Sequence, residues 1–274
     1  MSTILFVGGG NMATALIGGI VARGHRADAI TVIEPAQSQR EALIARFDGI
    51  RCVDAVPNDL LSDIGLAVLA VKPQNARAAC AALAMSIHAV PALLSIVAGV
   101  RCADLSRWLG GYTRIVRAMP NTPALVGAGV TGVYATDDVP DDGLASATGV
   151  LRAAGEIVSC RRETALDDVT GVSGSGPAYV FYFLEGLTEA AMELGFGAAD
   201  ARKLAYATFD GAIKLAQAST LEPSALRAQV TSKGGTTERA IGELERAEVK
   251  RHFIDAVKAA AARSRELGDA AGRE

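Results

Sequence analysis

The sequence predicts an α/β protein whose N-terminal half forms a mostly parallel sheet and whose C-terminal half is entirely helical. Up to about Cys160, short β-rich runs alternate with helical stretches, a pattern typical of βαβ units. After Asp167 the chain is rich in alanine, and only two of its nine prolines lie there. We place the domain boundary near residues 161–167, with a first domain over residues 1–162 and an all-helical domain over residues 163–274.

Seven runs in the first domain are predicted to be strands. They are ILFVG, ITVIE, LAVLAV, LLSIVAG, RIVRAM, GVYA and EIVSC. The first, third and fourth are apolar almost throughout, as expected for strands that are covered on both faces. In the second domain, apolar spacing predicts a helix from Ala178 to Leu194 that Gly195 and Gly197 end, followed by another helix around Leu204–Leu215.

Charge and composition narrow the possible partners. The chain has 274 residues and a net charge of −3, and its Lys and Arg residues are scattered among acids, so nucleic acid is not an expected partner. No pair of its four cysteines has metal-ligand spacing and its three histidines lie far apart, so no metal site is expected. The four thiols (Cys52, Cys80, Cys102 and Cys160) are expected to be reduced and partly buried.

The N-terminal residues and the longest apolar run indicate where in the cell the protein is expected. The N-terminus lacks a basic segment and runs directly into a glycine turn, which is unlike a signal peptide. The longest apolar run, residues 89–100, contains Pro91 and is too short to span a bilayer. We expect a soluble cytoplasmic protein with no membrane partner.

The most informative N-terminal feature is the pattern Gly8-x-Gly10-x-x-Ala13 between a strand and a helix. In this setting Gly8 makes a tight turn, Gly10 lets a pyrophosphate approach the backbone, and Ala13 lets helix and strand pack closely. The pattern predicts a Rossmann-type dinucleotide-binding domain; a glycine turn without a ligand is the alternative. The cofactor-binding candidates here are Gly8, Gly9, Gly10, Asn11 and Met12.

The second predicted strand ends in Glu34, where an acid normally accepts a hydrogen bond from the ribose of NAD. A carboxylate there repels a 2′-phosphate, which slightly favours NADH. Because Gln37, Ser38 and Arg40 follow closely and could accommodate the phosphate, the cofactor is predicted as NADPH or NADH.

Ligands of such sheets bind outside the carboxyl ends of the strands. Two further strand ends therefore supply cofactor-binding candidates, and Asn58 is added to them. The candidates are Ala70, Val71, Lys72, Pro73, Ala98, Gly99 and Asn58. Lys72 taken alone could equally be a solvated surface lysine, whereas Pro73 suits the first turn of the next helix.

Three more segments have unusual composition. RAMPNTP (117–123) follows a strand, and GVSGSGP (171–177) precedes the first long helix, where Ser173 or Ser175 could simply cap it. SKGGTT (232–237) places two glycines and three hydroxyls directly before a charged helix. Because a helix start exposes unpaired N–H groups, this loop is either a receptor for a carboxylate or phosphate, or a plain cap with Thr236 or Thr237 as N-cap.

Together, five segments resemble the pyrroline-5-carboxylate reductase family over essentially the whole chain. They are GGGNMATALIGG, AVKPQ, IVRAMPNTPALVGAG, GVSGSGPAYVFYFLE and QVTSKGGTTERAI, of which the last is the most specific. Lys233 departs from the family, many of whose members have Pro there. The resemblance implies a Rossmann-type domain, a helical dimerisation domain, and NAD(P)H-dependent reduction of Δ1-pyrroline-5-carboxylate to L-proline, the last step of proline biosynthesis.

The resemblance also implies where the substrate binds. It places the cyclic imine between the nicotinamide and the loop at residues 232–237, near the interface of a homodimer or a ring of dimers. The substrate-binding candidates are Met119, Asn121, Ser232, Gly234, Gly235, Thr236 and Thr237. We expect the hydroxyl of Thr237 to bond the ring nitrogen and relay its proton, with bound water as the alternative.

Two other functions remain as alternatives. A reductase of the broader β-hydroxyacid dehydrogenase type would need a lysine on the first long helix of the second domain, and residues 178–194 contain none. A dinucleotide-sensing regulatory protein would not need an intact TSKGGTT loop.

Overall fold

The computed structural model of the protein describes residues 3–56 and 63–272. Its chain divides into two compact units, of which the first holds residues 1–175 together with 259–274, and the second holds residues 176–258. The candidate Asn58 lies outside the described residues.

The first unit contains a sheet whose strands are named here in chain order. They are β1 (Thr3–Val7), β2 (Ile30–Ile33), β3 (Arg51–Val53), β4 (Ile64–Leu69), β5 (Leu93–Ser95), β6 (Ile115–Met119), β7 (Gly129–Ala135) and β8 (Gly155–Ser159). All seven predicted strands are present. The prediction missed β3 because it has only three residues and no clear apolar alternation. The predicted strand LLSIVAG extends too far toward its C-terminal end. Only Leu93–Ser95 forms β5, and residues 96–99 form a loop.

Among the described residues of this unit, six α-helices precede residue 170. They are α1 (Asn11–Ala22), α2 (Gln37–Arg46), α3 (Ala76–Leu83), α4 (Cys102–Trp108), α5 (Asp141–Arg152) and α6 (Ala165–Val169). The second unit contains α7 (Gly176–Glu193), α8 (Ala198–Gln217), α9 (Pro223–Gln229), α10 (Thr236–Arg246) and the first part of α11 (Val249–Ala271). A positive φ of 97° at Gly195 follows the end of α7, in agreement with the predicted stop.

Within the described residues, the sheet has the order β3-β2-β1-β4-β5-β6-β7-β8. Neighbouring strands are parallel except for β6 and β7, which confirms a mostly parallel sheet. The antiparallel pair follows from its short connection, because residues 120–128 are too few for a parallel crossover. Val7 is in register with Ile33 and Leu69, and Leu69 with Ser95, so these strands end at the same edge.

The apolar character of β1 comes from burial on both faces of the sheet. Ile4 and Phe6 belong to one cluster of buried side chains, and Leu5 and Val7 belong to another. Successive side chains of a strand point to opposite faces, so helices on both sides of the sheet require an uninterrupted apolar strand.

The division into compact units differs from the predicted boundary between residues 162 and 163. Leu166 is buried, and a Cβ atom placed on Gly132 of β7 would lie 2.8 Å from Val169 and 3.1 Å from Leu166. Because α6 packs so closely on the sheet, the first unit extends to Ser175, and it also takes in the end of α11. The assignment of dimerisation and substrate binding to residues 163–274 stays a prediction.

The four cysteines are free thiols, of which Cys80 and Cys102 are buried. Burial raises the pKa of Cys80 to about 12, so this thiol stays protonated at neutral pH. The described residues form no cluster of three metal-binding side chains. Among the helices that the structure describes, none combines the length and apolarity needed to cross a bilayer.

Two adjacent glycines of α1 differ in how closely other segments pack against them. A Cβ atom on Gly19 would lie 2.4 Å from the Ala153 carbonyl oxygen, whereas one on Gly18 would make an ordinary contact of 3.6 Å with Phe47. Both Gly→Ala changes improve helix propensity by about 1 kcal/mol, but Gly19→Ala must also displace backbone at a cost of roughly 1–3 kcal/mol. We therefore expect urea unfolding to show Gly18→Ala at or above wild-type stability and Gly19→Ala below it. Equal free energies of unfolding for the two variants would contradict this packing.

Candidate functional site

The glycine turn after β1 is constrained on two sides. Gly8 has a φ of 98°, and its N–H donates to the Ile33 carbonyl oxygen at 2.8 Å. A Cβ atom on Gly8 would lie 2.6 Å from the Ala70 carbonyl oxygen. Both the positive φ and the close approach of the backbone require glycine, as the sequence predicted.

The next part of the turn presents open space and free donors. Gly10 is the N-cap of α1, and no side chain caps this helix start. A Cβ atom on Gly10 would meet no described atom within 4 Å. Asn11 is exposed, whereas the Met12 side chain packs against the core, so Met12 can offer a ligand its backbone N–H only. Unpaired N–H groups beside open space fit the phosphates of a dinucleotide.

Glu34 contacts the glycine turn directly. One carboxylate oxygen accepts from the Gly9 N–H at 2.9 Å, and the other accepts from the Ala36 N–H at 2.9 Å. These two bonds fix the carboxylate at the end of β2 and leave it further lone pairs for a hydroxyl donor. Glu34 is therefore in place to accept from a ribose and to repel a phosphate.

Side chains that the motif analysis overlooked hold the same turn in place. Thr14 donates its hydroxyl to the Gly10 carbonyl oxygen at 3.0 Å, and Gln39 donates to the Gly9 carbonyl oxygen at 2.5 Å. Arg40 donates to the carbonyl oxygens of Glu34 and Pro35 at 2.8 and 2.7 Å. Thr14 and Arg40 bond carbonyl groups that are only four to six positions away. Gln39 bonds Gly9 across 30 positions, and only the folded chain brings these two residues together.

Two other strand ends reach this edge of the sheet. The Ala70 N–H donates to the Val7 carbonyl oxygen at 2.8 Å, and Val71 is half-buried beside Gly8. Lys72 is exposed and precedes a short 3-10 helix that Pro73 opens, which confirms the helix-initiating position of that proline.

The loop after β5 lies at the same edge. Ala98 is exposed and Gly99 has a φ of 76°. The strand register therefore brings together all the described candidates for cofactor binding.

The two candidates that follow β6 have structural partners. Asn121 is 8 % exposed; its side-chain oxygen accepts from the Val130 N–H at 2.9 Å, and its side-chain nitrogen donates to the Ser173 carbonyl oxygen at 3.1 Å. The Met119 side chain lies 3.0 Å from the place of a Cβ atom on Gly174. Both side chains thus hold the loop and the turn at residues 170–174, and their contact with substrate stays a prediction.

In the segment GVSGSGP, Ser173 does not cap a helix start, which was one interpretation of it. Residues 170–174 form a π-helical turn that continues α6, and the Ser173 hydroxyl donates to the Val169 carbonyl oxygen at 3.1 Å. Because the chain is already helical, Ser173 donates where a cap would accept. The Ser175 N–H bonds the Thr170 carbonyl oxygen at 2.8 Å and is not free for a ligand.

A partly buried ion pair, which the sequence did not indicate, connects β6 to the residues that follow β8. Arg117 is 6 % exposed, and its guanidinium lies 2.8 Å from a carboxylate oxygen of Glu163. The same oxygen accepts from the Cys102 N–H at 2.7 Å, at the start of α4. Glu163 thereby joins β6 to the helix that follows the β5 loop.

In the second unit, SKGGTT forms a tight turn before α10. Gly234 has a φ of 74°, its N–H donates to Glu238 at 2.6 Å, and the Gly235 N–H donates to the Ser232 carbonyl oxygen at 3.0 Å. The N-cap is Gly235, so the alternative with Thr236 or Thr237 as N-cap is wrong. The extended Gly235 backbone leaves both threonines as the first two helical residues.

The donors available in this turn are fewer than predicted. Both glycine N–H groups are already bonded, whereas no side chain caps the helix start at Thr236 and Thr237. Ser232 and Thr236 are exposed and Thr237 is half-buried. The turn carries both the Glu238 carboxylate and the Lys233 ammonium, so an anion is held here chiefly by directed hydrogen bonds.

A parallel sheet with a glycine turn, an uncapped helix start and an acid after β2 defines the dinucleotide-binding α/β class of proteins. A family model described as pyrroline-5-carboxylate reductase dimerisation matches residues 163–267, and one for coenzyme F420-dependent NADP oxidoreductases matches residues 3–99. Pyrroline-5-carboxylate reductase of Pseudomonas aeruginosa is 39 % identical over 100 % of both chains. The chain belongs to the pyrroline-5-carboxylate reductase family.

Other relatives agree with this assignment. The Escherichia coli pyrroline-5-carboxylate reductase is 35 % identical over 96 % of this chain and 97 % of its own. The structure of the Coxiella burnetii pyrroline-5-carboxylate reductase has a TM-score of 0.91 at 36 % identity, covering 97 % of this chain and 98 % of that one. A Plasmodium falciparum pyrroline carboxylate reductase with NADP bound has a TM-score of 0.85 at 26 % identity, with the same coverage.

Gly10→Ala should weaken dinucleotide binding while leaving the stability of the fold nearly unchanged. Its Cβ atom would meet no described atom, so the free energy of unfolding should fall by no more than about 1 kcal/mol. The same methyl group would occupy the space over the start of α1, so calorimetry should show dinucleotide binding weakened by about tenfold or more. Gly18→Ala, farther along the same helix, is the matched control. Unchanged dinucleotide affinity in Gly10→Ala would mean that no pyrophosphate passes over this residue.

Proposed function

We propose that this protein reduces Δ1-pyrroline-5-carboxylate to L-proline with NADH or NADPH, the last step of proline biosynthesis. The observation that carries the proposal is the intact SKGGTT turn at an uncapped helix start, in a chain that matches known reductases of this substrate over its full length. The glycine turn and Glu34 support the cofactor part of the proposal.

The first unit would hold the dinucleotide by its phosphates and ribose. The N–H groups of Asn11 and Met12 face the pyrophosphate, and the Glu34 carboxylate accepts from a ribose hydroxyl. When bound, the reduced nicotinamide supplies the hydride that the imine carbon accepts. The protein must hold the two in near-attack contact and keep water out.

The turn at residues 232–237 would hold the carboxylate of the substrate. The hydroxyls of Ser232, Thr236 and Thr237 and the N–H groups of the two threonines are the donors. A hydrogen bond to a charged group is worth about 1.5–3 kcal/mol, whereas the helix dipole contributes about 0.3–1 kcal/mol, so the discrete bonds dominate. For a substrate of roughly eight heavy atoms, with a ceiling near 1.5 kcal/mol per atom, losing one such bond is a large fraction of the affinity.

Thr237 is the candidate for the catalytic role. An imine accepts hydride once its nitrogen carries a proton, and a hydroxyl that bonds this nitrogen can orient the ring and pass on the proton. Its half-buried side chain at the first turn of α10 is consistent with a hydroxyl that faces a small ligand.

We also propose that the protein forms a homodimer, alone or as part of a ring of dimers. In α7 and α8, whose residues are all described, the only buried residues are Ala191, Ala201 and Ala205. Large apolar side chains on these helices are exposed, among them Tyr182 at 72 % and Phe181 at 63 %. Helices with such faces require a partner, and a second copy of this chain is the one that the match to a dimerisation family favours. We place this assembly in the cytoplasm.

Thr237→Ala tests the proposed mechanism. Loss of the hydroxyl should lower kcat/KM for the imine by about tenfold or more, because a bond made to the reacting ring disappears. Thr237→Ser keeps the hydroxyl and is the matched control, and NADH affinity should be unchanged in both variants. The assay follows NADH absorbance with pyrroline-5-carboxylate. Wild-type kcat/KM in Thr237→Ala would remove Thr237 from the site.

Glu34→Gln tests the role of that carboxylate in cofactor choice. The amide keeps the size of the side chain but loses the charge that repels a 2′-phosphate. The ratio of kcat/KM for NADPH to kcat/KM for NADH should therefore rise by about tenfold, which corresponds to about 1.4 kcal/mol. Glu41→Gln changes an exposed glutamate of α2 that bonds Gln37 and serves as the control. If both variants keep the wild-type ratio, Glu34 does not select the cofactor.

A further inference from the structure

The end of α11 lies against the loop that follows β5. Gly268 sits so near this loop that a Cβ atom placed on it would be 3.4 Å from the Gly99 carbonyl oxygen and 3.4 Å from Nε of Arg101. In the other direction, a Cβ atom on Gly99 would lie 3.9 Å from the Gly268 N. A larger residue at position 268 would therefore have to displace the loop backbone.

Polar contacts on either side of Gly268 join the same two segments. Arg101 bonds Asp269 at 2.5 Å, where the side chains are 36 % and 56 % exposed. One turn later, Arg107 donates to the Gly272 carbonyl oxygen at 3.2 Å. The loop after β5 and the last turn of α4 are thus connected to the C-terminal end of α11 and to the residue that follows it.

The preceding turn of α11 is anchored elsewhere in the first unit. Ser264 donates its hydroxyl to Asp167 at 2.7 Å in a buried contact, and Arg265 bonds Asp168. Ser264, Gly268 and Gly272 are spaced by four residues and share one face of the helix. This face is fixed to α6 at one end and to the β5 loop at the other.

The loop itself has few constraints from its own strand. Val97 and Val100 are buried, but Ala98 is exposed and Gly99 has a positive φ. The contact of the Val97 N–H with the Ser95 hydroxyl is long, at 3.4 Å. Between the two buried valines, the backbone at Ala98 and Gly99 therefore depends on neighbouring segments to keep one position at the carboxyl edge of the sheet.

We propose that residues 264–272 act as a brace that sets the position of the Val97–Arg101 loop, and thereby the affinity of the first unit for its nicotinamide dinucleotide. This inference rests on the proposed function, because it takes the loop to line the cofactor. Gly268 and Asp269 are positioning residues: they act through Gly99 and Arg101 and do not touch the cofactor themselves.

Gly268→Leu tests the brace by forcing the loop away from α11. Calorimetry should show the Kd for NADH rising by about tenfold, and the KM for NADH should rise with it while kcat stays within about twofold. Gly268→Ala is the matched control, since its Cβ atom fits at ordinary contact distance and improves helix propensity. Wild-type NADH affinity in a folded Gly268→Leu protein would overturn the proposal.

Asp269→Asn tests the same brace with a milder change, so the proposal can be tested even where the leucine variant does not fold. It removes the ion pair with Arg101, and the Kd for NADH should rise by about two- to fivefold, as expected for a partly exposed pair. Glu266→Gln removes the same charge from the same helix, where it pairs with Arg263, and should leave the Kd unchanged. Equal NADH affinities in these two variants would count against the brace.

The wild-type protein separates this inference from the function on which it rests. Wild type that binds no NADH or NADPH in calorimetry would refute both. Wild type that binds the dinucleotide and reduces the imine, with variants of unchanged affinity, would refute the brace alone.

Discussion

The dinucleotide site depends on the close approach of three backbone segments at Gly8. Its N–H bonds the end of β2, and its missing side chain leaves room for the carbonyl group of Ala70 after β4. This approach fixes where α1 begins and places the Gly9 N–H within reach of Glu34. The open helix start and the oriented acid are therefore consequences of one steric requirement that only glycine meets.

Buried polar contacts then hold the loops that surround this edge of the sheet. Buried Arg117 pairs with the partly buried Glu163, and Asn121 bonds two backbone groups with opposite ends of its amide. Removing Glu163 would leave the Arg117 charge without a partner in a site that holds little water, which is costly. Such contacts make the loops specific in position, although none of these three side chains needs to touch a ligand.

The helical unit obeys a different constraint, because a single copy cannot bury its apolar faces. Its turn at residues 232–237 is shaped by Gly234 and by the bond from that residue to Glu238. The turn carries one acid and one base, Glu238 and Lys233, and its remaining donors are a few hydroxyl and N–H groups.

The sequence by itself determined seven strands, the order of sheet and helices, and the tight turn at Gly8, because apolar periodicity and glycine geometry are local properties. Tertiary structure decided the short β3, the helical rather than capping state of Ser173, and the structural partners of Asn121. It also brought Asp269 to Arg101 across 168 positions of the chain. Contacts at such separation depend on how whole elements pack, and no local pattern of residue types encodes them.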